Sequence, residues 1–248
     1  MKTWFFTVFA LFISQSVFAI PDEGVERRTL RFLFIDETPG AYFYEAEDGF
    51  RKISSTPYAI SQSVPITSSD KLKIYKEAPI WDPQTKQHKR FRIATVSSPA
   101  DQLDALVLIT PRQWDLKSQY TPDYLVKYIN SDDSTFPEGT VRVINLGHEQ
   151  IAASMGGAPV VLDPGANEII QPNTDQRNRL FSRVAVKDDE QWRLIFDNIT
   201  VVRPQDRMTG ICVYSPSGLA YRYLEQELEE LGQPGAGHYW LYYSESAD

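Results

Sequence analysis

The residue types that do chemistry are present in this chain, but their spacing does not set up a site. Its three histidines, His88, His148 and His238, lie far apart, without the short His/Cys intervals that hold zinc. Nucleophilic catalysis fares no better. There is no Gly-x-Ser-x-Gly elbow, and Ser154, Met155, Gly156 and Gly157 lack the glycine that would precede the serine. Ser68 and Lys71 match Ser-x-x-Lys, but the other motifs of that enzyme class are missing, so the sequence predicts a loop before a strand at Leu72. Asn130, Asp132, Ser134 and Glu138 alternate as calcium ligands do. However, Thr135 stands where a helix–loop–helix calcium loop needs glycine, and Val141 occupies its twelfth position. The reading is therefore of a chain with no cofactor, no metal and no assigned catalytic residue.

Carboxylates for glycoside hydrolysis are set by their separation in space, so the 33 acidic residues neither nominate nor exclude a pair. Aromatic residues give the remaining handle. Tyr42 and Tyr44 flank Phe43 on one strand, where successive side chains point to opposite faces. If Phe43 packs inward, the tyrosines are exposed and suited to protein or sugar recognition. Tyr239, Trp240 and Tyr242 near the C-terminus join them as candidate ligand-binding residues. Lys86, His88, Lys89, Arg90 and Arg92 form a basic stretch beside Trp81, and Asp188, Asp189 and Glu190 an acidic one; both read as solvated hairpins.

These residues sit in a chain of 248 whose first 19 read as an export signal. Lys2 is followed by an apolar run from Trp4 to Ile13, and small residues end at Ala19 before Ile20 and Pro21. The run is broken by Ser14, Gln15 and Ser16, short of the ~20 apolar residues of a membrane span. No transmembrane segment is expected after signal removal, and the expected location is periplasmic or extracellular. A net charge of −8, more acidic once Lys2 is lost, disfavours nucleic acid and anionic membranes. Cys212 is the single cysteine, so no intramolecular disulfide can form, and its apolar neighbours Ile211 and Val213 mark it as core filler.

The elements that would position any site are strands. Segments 29–35, 41–45, 72–75, 91–96 and 106–110 are β-branched or aromatic and are bounded by Gly, Pro, Asp or Ser. The same holds for 140–146, 159–162, 168–171, 180–186, 192–200 and 208–215. The two halves also resemble one another. At a shift of 105, Thr95, Val96, Pro99, Asp101 and Pro111 meet Thr200, Val201, Pro204, Asp206 and Pro216; at a shift of 111, TLRFLFI meets TVRVINL. Each copy reads as a β-arch whose Pro and Asp set a turn ahead of a buried strand. The expected fold is all-β: two tandem immunoglobulin-like β-sandwich modules over 27–112 and 139–216. A linker at 113–138 holds a strand candidate at 124–129. The C-terminal extension, 217–248, holds either a short helix over 219–231 or a strand over 219–223, and an aromatic segment able to dock as a further strand.

Within the second module, Asn145-Leu146 followed by a short hairpin and Leu162-Asp163-Pro164-Gly165 resembles the turn chemistry of secreted bacterial β-sandwich modules of unknown function. The resemblance implies a sandwich in an exported setting and brings no catalytic residues. The resulting expectation is a non-catalytic extracytoplasmic binding or structural protein of the bacterial envelope, with an envelope protein or glycan as partner. The alternative is a secreted hydrolase acting on polysaccharide or peptide.

Overall fold

The computed structural model describes residues 27–37, 40–54, 56–67, 70–111, 124–216, 218 and 237–245. The export signal at 1–19 and the helix candidate at 219–231 lie outside these residues. The described chain is all-β and folds as two sandwiches in tandem. The first half contains β1 (Arg27–Phe34), β2 (Tyr42–Ala46), β3 (Gly49–Ser54), β4 (Val64–Thr67), β5 (Lys71–Asp82), β6 (Gln87–Ser97), β7 (Asp104–Pro111) and β8 (Tyr124–Asn130). The second contains β9 (Val141–Leu146), β10 (Ile151–Met155), β11 (Ala158–Leu162), β12 (Asn167–Ile170), β13 (Arg179–Asp188), β14 (Gln191–Val201), β15 (Arg207–Ser215) and β16 (Gly237–Glu245).

The halves share one topology. Sheets β4-β1-β7-β8 and β3-β2-β5-β6 are matched strand for strand by β12-β9-β15-β16 and β11-β10-β13-β14. In each, the opening strand runs parallel to the seventh, Arg31 opposite Leu106 and Arg142 opposite Thr209. Aligning the opening strands on their arginines therefore sets Leu106 on Thr209, two residues off the sequence shift of 105. A slip of two leaves every side chain on its original face, which is why both alignments look plausible by pattern. β8 falls in the segment read as a linker and β16 in the C-terminal extension. Each is hydrogen-bonded along its half's seventh strand as an integral sheet member.

Among the described residues three cores hold the fold together. Leu30, Phe32, Phe34, Tyr42, Ile74, Val107 and Ile109 fill the first sandwich. Val143, Ile151, Met155, Val184, Met208, Cys212 and Trp240 fill the second. The third lies between the halves, where Leu33, Leu106, Leu108 and Ile129 of the first pack on Ile144, Ile211, Val213 and Leu241 of the second. The sheets containing β1 and β9 therefore face each other across a seam, giving four layers. Two-sided burial explains the composition of β7, where residues 105–109 are all buried and all apolar. Odd positions enter the sandwich and even ones the seam.

The expected β-arches are present. The 98–103 connection carries the chain from β6 to β7, and the guanidinium of Arg28 donates to the carbonyls of Pro99 and, at 2.9 Å, Ala100. In the second arch the Asp206 carboxylate accepts from the Arg203 amide at 3.3 Å. The turn residues singled out near Asn145 also have a task. The buried Asn145 amide donates to the carbonyls of Glu149 (2.8 Å) and Leu162 (3.1 Å), and the Gly165 amide donates to the Asn145 carbonyl at 2.8 Å. Gly165 has φ 79°, a conformation that favours glycine.

Candidate functional site

The sequence-based aromatic candidates do not share one surface, although two of them, Trp240 and Tyr242, line a cavity. Tyr42 is fully buried and stacks on Phe34 with ring centroids 3.7 Å apart; Tyr44 packs half-buried against the same core. It is Phe43 that faces outward, under the guanidinium of Arg90 at 4.2 Å. The condition for exposed tyrosines, an inward Phe43, is not met: alternation separates the two sets but does not say which faces in. Trp240 is a core side chain, Tyr242 packs beside it, and Tyr239 is half-buried in the seam.

What the structure does build beside that last strand is a cleft. Among the described residues β16 is the outermost strand of its sheet, and β14 is outermost in the sheet packed against it. Between these two edges and residues 58–63 of the first half runs a cavity of about 680 Å³, lined by Tyr58, Gln62, Phe196, Asn198, Tyr242 and Tyr243 among others. Phe196, Asn198 and Thr200 lie on the inward face of β14, since they pair with the inward Val184, Ser182 and Leu180 of β13. At the base of the cleft Arg31 pairs with Glu245 and, at 3.0 Å, with Asp104. Burial drives the Tyr242 and Tyr243 phenols well above their ordinary range, so both stay neutral, and they donate inside the protein, Tyr242 to the Met208 sulfur at 3.0 Å and Tyr243 to the Tyr58 carbonyl. The cleft combines aromatic walls, amide and hydroxyl groups, and the outer edge of β16 over residues 240–245. That is chemistry for holding an extended chain or a sugar.

A second cluster lies at the other end of β16. His148 and His238 flank Tyr214, with centroids 4.9 and 5.1 Å from it. Desolvation first, then the charge of Arg193 and the neighbouring His148, holds His238 below its ordinary pKa. Among the described residues no group of three or more His, Cys, Asp or Glu side chains is placed to hold a metal. The acidic loop considered for calcium spends two carboxylates on contacts remote in sequence: Asp132 accepts the Leu103 and Asp104 amides at 2.8 and 2.6 Å, and Asp133 pairs with Arg207. Asp189 and Glu190 make the β13–β14 turn with Asp188 closing β13; of the basic stretch only Lys86 lies in the β5–β6 turn, His88, Lys89, Arg90 and Arg92 being on β6, where Arg90 pairs with Glu77 at 3.3 Å.

Sequence reasoning missed a third constellation, inside the first sandwich. Lys76 and Asp36, with side chains 7 % and 3 % exposed, meet at 2.5 Å, and the Tyr124 hydroxyl donates to the same Asp36 oxygen at 2.6 Å. The signal was available. Leu72, Ile74, Lys76 and Ala78 share one face of β5, so the lysine stands in an otherwise apolar inward row.

No protein-family model matches the chain, and no curated protein matches it. Among the described residues no helix is long and apolar enough to cross a membrane.

Proposed function

We propose that this chain is a non-catalytic extracytoplasmic binding protein of the bacterial envelope. Its cleft beside β16 receives an extended segment of an envelope protein. The carrying observation is the cleft itself: an outer strand edge flanked by β14 and residues 58–63, with aromatic and amide side chains on its walls. A strand edge offers main-chain donors and acceptors to any extended peptide, and the flanking pockets select its alternate side chains. The export-signal pattern of residues 1–19 supports the extracytoplasmic setting.

Calorimetric titration with a panel of extended peptides of alternating apolar and polar residues, and with envelope glycan fragments, tests the reading. Peptide binding that Asn198→Arg abolishes supports it. Glycan binding without peptide binding, or turnover of polysaccharide or peptide substrates, overturns it in favour of a lectin or a hydrolase.

A further inference from the structure

The two halves differ in how much apolar surface they leave open to water. Of the ten large hydrophobic side chains exposed among the described residues, five stand on one hairpin: Phe181 on β13 and Trp192, Leu194, Ile199 and Val201 on β14, each between 46 % and 72 % exposed. The topologically matching β5–β6 hairpin exposes one, Trp81 near its tip. It is crossed by the Glu77–Arg90 ion pair, and Lys73 binds Glu45 of the neighbouring strand. Register explains where the five side chains point. Ile199 lies opposite Phe181, Leu194 opposite Ala185, Trp192 opposite Lys187 and Val201 opposite Arg179. These β13 residues alternate with the inward Leu180, Ser182, Val184 and Val186, so the five form a stripe on the face of the sheet turned away from the sandwich core. A contiguous exposed apolar stripe is the mark of a docking surface.

We propose that this stripe is the interface of a homodimer, covered by the same hairpin of a second copy. Charge complementarity selects that occupant. In the middle of the stripe Arg183 lies opposite Asp197, and the two pair at 3.1 Å with both side chains open to solvent. A two-fold interface is self-complementary: where one residue meets another, the second meets the first in return. An axis parallel to the strands, running between β13 and β14 and midway between the two faces, sets each outward residue of β13 over its own ladder partner in the second copy. Arg183 then meets Asp197 of the second copy, and Asp197 meets its Arg183. On either side Phe181 meets Ile199 and Ala185 meets Leu194, while the Lys187 ammonium meets the Trp192 ring in a cation–π pair. No like charges are brought together. An axis perpendicular to the strands would instead stack Arg183 on Arg183 and Asp197 on Asp197.

The chain already uses this kind of packing once. Sheets stacked face to face keep their strands nearly aligned, as the proposed axis requires. Across the seam, equivalent sheets of the two halves meet in this way, and their arginines cross reciprocally, Arg31 to Glu245 and Arg142 to the Asn130 carbonyl. Two strands of about ten residues present a face of about 34 Å by about 10 Å. That is near the small end of specific interfaces, so dissociation in the micromolar range is expected. Phe196, Asn198 and Thr200 project from the opposite face of β14, so the dimer leaves both clefts open and does not depend on what they bind.

Sedimentation velocity of the full chain between about 1 µM and about 100 µM tests the interface, with a monomer–dimer equilibrium as the expected result. Arg183→Asp gathers four carboxylates around the axis and Asp197→Arg four guanidinium groups, so each variant alone should raise the dissociation constant about a hundredfold. Mixed in equal amounts, the two variants should associate with each other about as tightly as the parent does with itself. Every pair across the interface is then opposite in charge, although every pair within a chain is alike, so a role for Arg183 and Asp197 inside one chain does not give this rescue. A chain that stays monomeric over the whole range, a dimer indifferent to both charge reversals, or variants that remain apart on mixing would each overturn the proposal.

Discussion

Arg31 and Arg142 hold equivalent positions in the two halves, and each crosses the seam to the last strand of the other. Arg31 meets Glu245 at the end of β16, while Arg142 donates to the Asn130 carbonyl at the end of β8 (2.7 Å) and to the Ser131 hydroxyl (3.0 Å). The pair is symmetric in position but not in chemistry. Arg31 sits between two carboxylates, Asp104 and Glu245, whereas Arg142 lies 3.9 Å from the Phe136 ring centroid and hydrogen-bonds neutral oxygens.

That difference predicts opposite tolerance to methionine. Arg142→Met keeps volume and removes a buried cation whose hydrogen-bond partners are neutral, Glu245 and Asp104 acting on it only through space, so urea denaturation should show a loss of about 1 kcal/mol. Arg31→Met leaves two partly buried carboxylates facing each other and should cost about 3 kcal/mol. Equal losses would show that the seam does not use the two arginines differently.

Gly210 faces Trp240 so closely that an added Cβ would lie 2.0 Å from the indole Cζ2. Gly210→Ala should therefore displace the ring and destabilise the second sandwich by about 1–3 kcal/mol. A red shift of tryptophan emission together with a lower melting temperature is the expected readout.

Cys212 is fully buried, and desolvation pushes its thiol up to about 12. Native protein should resist alkylation at neutral pH, and reactivity should appear only with unfolding. Labelling in the absence of denaturant, at the rate of a free thiol, would contradict the placement of β15 between two cores.

His238 has its folded-state pKa below the unfolded value, so the unfolded chain binds the extra proton first as pH falls. The stability it contributes is fully present above about pH 6.5, declines on acidification and is lost once pH passes below the folded-state value. The melting temperature should drop between neutral and mildly acidic pH, and His238→Gln should lessen that drop. An unchanged pH profile in the variant would remove His238 from the account.

Much of the fold was legible from side-chain periodicity and turn residues, because strands with bounded apolar faces announce themselves. Pro99, Asp101, Pro204 and Asp206 marked the arches, and Thr29, Arg31, Thr140 and Arg142 marked the opening strands. The four-layer stack leaves only one trace in the sequence, the unbroken apolar run from Ala105 to Ile109 that burial on both faces requires. The burial of Tyr42 was not legible, because alternation gives two faces without naming the inner one. The cleft was out of reach for a different reason. Gln62 and Tyr58 come from one half and Asn198 and Tyr243 from the other, and nothing local in either segment records that they meet.

The seam is the claim on which the cleft and the cross-half arginines depend, and scanning calorimetry of the full chain tests it most directly. Packing of Leu106 and Leu108 on Ile211 and Val213 couples the halves, so the chain should melt in one transition whose calorimetric and van't Hoff enthalpies agree. Leu108→Asp should lower that single transition as a whole. Two separate transitions, with Leu108→Asp shifting only the one that belongs to the first half, would contradict it.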